Sequence, residues 1–167
     1  MRKILAVLGS AVFFVLAPGI VSGLVPWWIS GRYTDTTSLG WPLKGFGGVL
    51  IAAGTWILVD SFVRFALQGL GTPAPVFPTR HLIVSGLYRY VRNPMYVAVV
   101  AIILGQSLLL GNARVFGYGV LVWIAFHLFV LIYEEPTLRF THGKEYQEFR
   151  SNVPRWIPRL SPWRRHQ

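Results

Sequence analysis

The chain has 167 residues, 53% of them hydrophobic and 13% charged, and a mean hydropathy of +0.49. That balance excludes an ordinary soluble domain and predicts a single all-α integral membrane domain, a bundle of about four transmembrane helices. The net charge of +10 does not describe a nucleic-acid face, because the basic residues stand between and after apolar runs, and the absence of cysteine excludes a disulfide framework and a thiol nucleophile.

The first apolar run, residues 4–25, follows Arg2 and Lys3 and ends on Pro26-Trp27-Trp28. A basic start before an apolar core also describes a secretory signal, with Val21-Ser22-Gly23 as a small-residue cleavage site. Length favours a retained span bent near Pro18-Gly19, since a signal core needs only ~7–15 residues and this run suffices for about 30 Å of hydrocarbon. A solvated loop from Gly31 to Gly45 leads to a second span over 46–70. Within it Asp60 and Arg64 lie one helical turn apart, acid first, the better order for pairing. A charge at mid-membrane costs roughly 2.5–3.5 kcal/mol, so the pair is expected to face inward, either fixing the rotation of the helix or lining a ligand cavity. Pro73, Pro75 and Pro78 then make a stiff connector.

The connector delivers the stretch Arg80 to Tyr96, RHLIVSGLYRYVRNPMY. Read alone, it is either a basic aromatic collar that anchors a span or a site facing water and a charged ligand. Asn93-Pro94 is a helix start signal, with Asn to cap and Pro to open the first turn of a third span over 94–110. That helix would aim its first N–H groups and the positive end of its dipole at the ground beside Arg92, a carboxylate or phosphate site. The short link Gly111-Asn112-Ala113-Arg114 predicts an antiparallel helical hairpin with a fourth span over 115–133. On that span Trp123, His127, Leu131 and Glu134 recur at helical spacing, which puts an imidazole and a terminal carboxylate on one face. His127 is either a hydrogen-bonded core histidine or a chemical group, with Gln106 as its expected partner.

Beyond Pro136 charges alternate with Leu138, Phe140, Tyr146, Phe149, Val153 and Trp156, the pattern of an interfacial helix followed by a proline-rich segment across the cytoplasmic mouth. Four spans put twelve Lys and Arg on the side of both termini and three on the other, which predicts a multi-pass protein with the Arg80 stretch and the tail in the cytoplasm. The four histidines lack metal-ligand spacing, so no metal is expected.

The hairpin brings the Arg80 stretch and Glu134-Glu135 to one rim. Gly86-Leu87-Tyr88, Arg92-Asn93-Pro94-Met95-Tyr96, Glu134-Glu135, Gly143 with Tyr146, and Val153-Pro154 occur in an order and spacing that resemble the isoprenylcysteine carboxyl methyltransferases and their relatives, the membrane phospholipid methyltransferases. The resemblance covers about residues 80–158. It implies S-adenosylmethionine bound at the cytoplasmic end of the bundle and a lipophilic small-molecule or lipid acceptor approaching from the bilayer. It carries cofactor contacts onto Arg80, His81, Leu82, Ile83, Tyr88, Asn93, Pro94, Met95, Tyr96 and Glu134. Asn93 stands where many members have histidine. Val130 or Leu131 stands where the eukaryotic enzymes have an arginine, which puts a prenylcysteine acceptor in question.

The chemistry of the residues agrees with this carry-over. Arg92 and the helix start suit the carboxylate of that cofactor, Glu134 or Glu135 its ammonium or diol, and Tyr88 or Tyr96 its adenine or sulfonium. Methyl transfer then needs mainly placement and dryness. A protonated amine or a thiol acceptor would also need a base, for which Glu135 and His127 are the candidates, and Arg64 is the nearest substitute for the missing arginine. The competing classes are a non-catalytic membrane scaffold or lipid-binding protein and an NADPH-dependent membrane reductase. Binding of one cofactor or the other separates all three.

Overall fold

Long uninterrupted apolar runs favour helices, because only a helix satisfies its own backbone without water. The computed structural model of the chain describes residues 17–33, 39–68 (backbone only for 65–68), 82 and 84–164, and its regular elements there are helices. Most of the expected first span, the proline connector and the candidate residues Arg80, His81 and Ile83 lie outside the described residues. The helices are α1 (Ala17–Ile29), α2 (Trp41–Gln68), α3 (Pro94–Leu110), α4 (Ala113–Phe129) and α5 (Glu135–Asn152).

The bend expected near Pro18-Gly19 takes the form of a π turn over Ile20–Leu24, where Ser22 Oγ donates back to the Pro18 carbonyl at 2.6 Å. The carbonyls of this turn serve the neighbouring helices: Gln106 Nε2 donates to Ser22 O at 2.6 Å and Tyr118 Oη to Val21 O at 2.9 Å. Gln106 is therefore bound to α1 and not to His127, a correction to the expected pairing. Helix α2 begins at Trp41, earlier than the expected 46, because Pro42 fits a first turn and the Gly40 carbonyl accepts from Leu43 N and Lys44 N.

Helix α3 is the centre of the bundle, with Ala98 and Ile103 fully buried. Its approach to α2 depends on glycine. A Cβ on Gly105 would stand 2.6 Å from Gly47 O, and one on Gly54 would stand 2.8 Å from Ala98 O. The two backbones thus touch, as small residues allow helices to do in a membrane. Leu58 and Phe62 of α2, Val99 and Ile102 of α3, and Val115 and Val122 of α4 close the core around this contact. The hairpin between α3 and α4 is tight for a legible reason: Gly111 takes the left-handed conformation that ends α3, and the Asn112 side chain accepts from Arg114 N and Val115 N at 3.0 and 3.3 Å to open α4.

Two helical stretches, Trp41–Arg64 and Ala113–Asn152, are long and apolar enough to cross a membrane, and only 28% and 22% of their most apolar windows is buried in the protein. Core helices of a soluble domain would be covered; these present apolar surface outward. The second stretch is not a single rod. Helix α4 passes through a π turn, Val130–Glu134, into α5, which breaks at Gly143 with φ 48° and ψ −119°. The break lets Tyr146, Phe149 and Val153 fold against Trp163, with Leu82, Val84 and Leu138 packed around them as a second small core.

After Asn152 the chain becomes a strap over the bundle end. Arg92 N donates to Pro154 O at 2.9 Å, Arg159 N to Tyr90 O at 3.0 Å and Trp163 N to Arg89 O at 2.9 Å, so residues 154–163 run back along residues 89–92.

Candidate functional site

The start of α3 is open. Pro94 occupies its first turn, but Asn93 makes no side-chain cap and donates its Nδ2 to the Arg155 carbonyl at 3.3 Å instead. The expected Asn cap is thus corrected, because the strap takes the amide. The N–H groups of Met95 and Tyr96 have no intrahelical acceptor, and the positive end of the dipole is left without a capping oxygen from Asn93.

Arg92 stands beside this helix start with a side chain 9% exposed. Its Nη1 donates to Glu135 Oε1 at 3.1 Å and to Tyr146 Oη at 3.2 Å, whereas its Nε is buried with no partner. A buried orphan donor on a guanidinium is costly unless an acceptor from outside the chain meets it. The π turn after Phe129 directs the two glutamates to different neighbours. Glu134 Oε2 accepts from Tyr96 Oη at 2.8 Å, and the Tyr96 ring lies 4.6 Å from that of Phe126. Glu135, 4% exposed, accepts from Arg155 Nε at 2.7 Å as well as from Arg92, with Arg150 at 3.6 Å and Arg139 at 3.9 Å.

Tyr88 closes the floor. Burial, with the nearby Glu134 charge adding to it, pushes its hydroxyl far above the usual tyrosine range, so it stays protonated and able to donate. Ser61 Oγ of α2 is buried close to that hydroxyl without a well-aligned hydrogen bond of its own.

Asp60 holds Arg64 in a two-point pair, Oδ2 to Nε at 2.8 Å and Oδ1 to Nη2 at 2.9 Å, with both side chains partly exposed. The guanidinium lies over Gly86, where a Cβ would collide with it, and Gly86 has φ +53°. Arg64 is thereby drawn to the rim beside the Gly86-Leu87-Tyr88 turn. A Gly86→Ala variant is expected to lose stability by about 1–2 kcal/mol from the left-handed backbone, with the Arg64 guanidinium moved aside. A lowered unfolding midpoint in detergent checks this; an unchanged midpoint would mean that neither constraint operates.

His127 lies apart from Glu134, which corrects the expected single face. The π turn adds a residue to the winding between them, so Glu134 meets Tyr96 while His127 stacks on Trp123 at 5.4 Å between ring centres. His127 Nδ1 accepts from Trp156 Nε1 at 3.0 Å, which places the proton of the neutral ring on Nε2. Trp123 and Trp156 also line an apolar cleft of about 430 Å³ along the side of α3, between Leu50 of α2 and Phe116 of α4.

The structure thus gathers Tyr88, Arg92, Asn93, Pro94, Met95, Tyr96, Glu134 and Glu135 at one rim, sets Arg64 at its edge, places Leu82 against the second core, and holds His127 between Trp123 and Trp156. Sequence reasoning missed Ser61, Arg155 and Trp156; the last two directly follow Val153-Pro154, which was the available signal. Among the described residues no group of His, Asp or Glu has the geometry to hold a metal ion.

The sequence model of the phospholipid methyltransferase family matches residues 43–145. The chain is also similar to a protein-S-isoprenylcysteine O-methyltransferase of Schizosaccharomyces pombe, 36% identical over 80 residues that make up 47% of this chain and 34% of that protein. The matched stretch thus spans about a third of the relative's length. No solved structure matches the chain.

Proposed function

The chain belongs to the phospholipid methyltransferase family, and on that premise we propose that it is a multi-pass membrane enzyme that transfers the methyl group of S-adenosylmethionine to a lipophilic acceptor. The observation that carries this reading is the buried, unpartnered Nε of Arg92 beside a helix start that Asn93 leaves uncapped. Together they form a receptor for a carboxylate, the one full negative charge of this cofactor.

The residues present fit the rest of the group. Arg92 Nε and the N–H groups of Met95 and Tyr96 would hold the carboxylate, Glu134 would accept from the ammonium, and the Tyr88 or Tyr96 ring would line the adenine or the sulfonium. Arg80, His81, Leu82 and Ile83, just before the turn, complete the contacts that the family likeness assigns. When bound, this group supplies a methyl already activated by a sulfonium. The protein then has to orient, exclude water and present the acceptor, and holding two reactants in line is worth several kcal/mol. The acceptor reaches the rim along apolar helix surface such as the cleft beside Trp123. Arg64, held ready by Asp60, offers a cation to an acidic acceptor where Val130 and Leu131 offer none. A carboxylate or thiolate acceptor needs no protein base.

Labelled methyl transfer against membrane lipid extract, prenylcysteine analogues, hydrophobic amines and hydrophobic thiols tests the activity, with Glu134→Gln as the blank. Label is expected in a lipophilic product. Transfer only to water-soluble acceptors, or binding of NADPH in place of S-adenosylmethionine, would overturn the reading.

The site faces the cytoplasm in this proposal, because twelve of the sixteen Lys and Arg fall on that side of four spans. The native chain lacks cysteine, so single cysteines at Thr36 and Ser85 report orientation cleanly. An impermeant thiol reagent applied to intact cells is expected to label Thr36→Cys and not Ser85→Cys; the reverse pattern would invert the topology.

A further inference from the structure

We infer that Glu135 is a positioning residue, the hub through which the C-terminal strap fixes Arg92 for ligand capture, and neither a base nor a ligand contact. The inference rests on the reading that the rim binds S-adenosylmethionine, and it assigns the second glutamate and the strap their parts in that site.

The two adjacent glutamates have opposite surroundings. Glu134 is partly exposed and has a tyrosine hydroxyl on one oxygen, so it retains capacity for a further donor. Glu135 is buried with both oxygens engaged: Oε1 accepts from Arg92 and Arg155, and Oε2 faces Arg139 and Arg150. With four guanidinium groups within 4 Å and only 4% of its surface exposed, the carboxylate is turned to the cluster and away from any substrate. Its charge offsets part of the repulsion among the four.

The four arginines come from separate segments. Arg92 precedes α3, Arg139 and Arg150 lie on the two sides of the Gly143 break in α5, and Arg155 belongs to the strap. One carboxylate therefore ties the helix start, the broken helix and the strap together. The strap also grips Arg92 from behind, through the hydrogen bond from Arg92 N to Pro154 O and that from Asn93 Nδ2 to Arg155 O. With its main chain clamped and Nη1 held by Glu135 and Tyr146, the guanidinium is fixed at both ends of the side chain. Those contacts set the direction of the unpartnered Nε. Such an arranged donor binds without first losing rotamer freedom.

The test uses the whole chain in detergent and S-adenosylhomocysteine as the probe, with affinity read by titration calorimetry and strap attachment read by trypsin cleavage after Arg159, a site that every variant keeps. Glu135→Gln and Arg155→Ala are each expected to weaken binding about tenfold, because Arg92 must then be ordered at the moment of binding. In both, the strap should be cut faster, and the bound probe should slow the cutting. Arg155→Lys, which keeps the charge, is expected to recover part of the affinity. Where the wild type binds the probe and both variants bind it equally well, the positioning role fails and the site reading stands. Where the wild type does not bind it at all, the site reading fails first. Unchanged affinity in Glu135→Gln with transfer lost only for protonated acceptors would make Glu135 a base and overturn the inference.

Discussion

Gly105→Leu is expected to abolish the folded protein. A Cβ at this position would stand 2.6 Å from Gly47 O and 3.1 Å from Ile51 N, both backbone atoms of α2, so no change of rotamer relieves the collision. Helices α2 and α3 would have to separate along their whole contact, opening the core between Leu58, Phe62, Ala98 and Ile102. Overpacking a well-filled core costs about 1–3 kcal/mol where side chains can adjust. Here the backbone itself must move, so the cost is expected at or above the top of that range. Gly117→Ala is the control, since a Cβ there meets nothing within 4 Å, and alanine gains helix propensity. Thermal unfolding in detergent should show Gly117→Ala at or above the wild-type midpoint and Gly105→Leu without a cooperative transition. A Gly105→Leu midpoint within a few degrees of wild type would refute the close contact.

Arg92→Ala carries the second large effect. It removes the partner of Glu135 Oε1 and Tyr146 Oη, together with the donor that the proposed site offers to a ligand carboxylate. A charged hydrogen bond contributes about 1.5–3 kcal/mol, so affinity for S-adenosylhomocysteine should fall tenfold to a hundredfold. Removing one partner of a buried ion pair costs about 3–5 kcal/mol in stability when the remaining charge is left alone. Glu135 is not left alone, because Arg155 remains at 2.7 Å and Arg150 at 3.6 Å, so the variant should fold with a lowered midpoint. Arg92→Lys keeps the charge but loses the fork that serves Glu135 and the ligand at once, and should fall between the two. Calorimetric titration decides: full affinity in both variants would leave the polar rim as no more than an anchor.

The class of protein and the gathering of the candidate residues at one rim were legible because both depend on features local in the chain. Runs of apolar residues predict helices that leave a membrane, Gly111-Asn112 predicts a tight turn, and Asn93-Pro94 predicts a helix start. Each acts within a few residues, and each appears in the structure at its place. The gathering of Tyr88, Arg92, Tyr96 and the two glutamates at one rim follows from the hairpin and from helix lengths alone. The family likeness needed no more than these motifs in order.

Tertiary structure alone decided which of these groups face each other. A helix in a membrane is apolar on nearly every side, so its sequence carries no polar and apolar face from which to read its rotation. The approach of Gly47 and Gly105 fixes that rotation for α2 and α3, and it brings Arg64 over Gly86. The π turn at Val130–Glu134 does the same for the glutamates: helical spacing puts His127 and Glu134 on one face, and a single extra residue of winding sends one to Trp156 and the other to Tyr96. The pairing of Arg155 with Glu135 spans 20 residues and a helix break. Periodicity loses phase at such a break, so only the folded chain shows that the strap completes the rim.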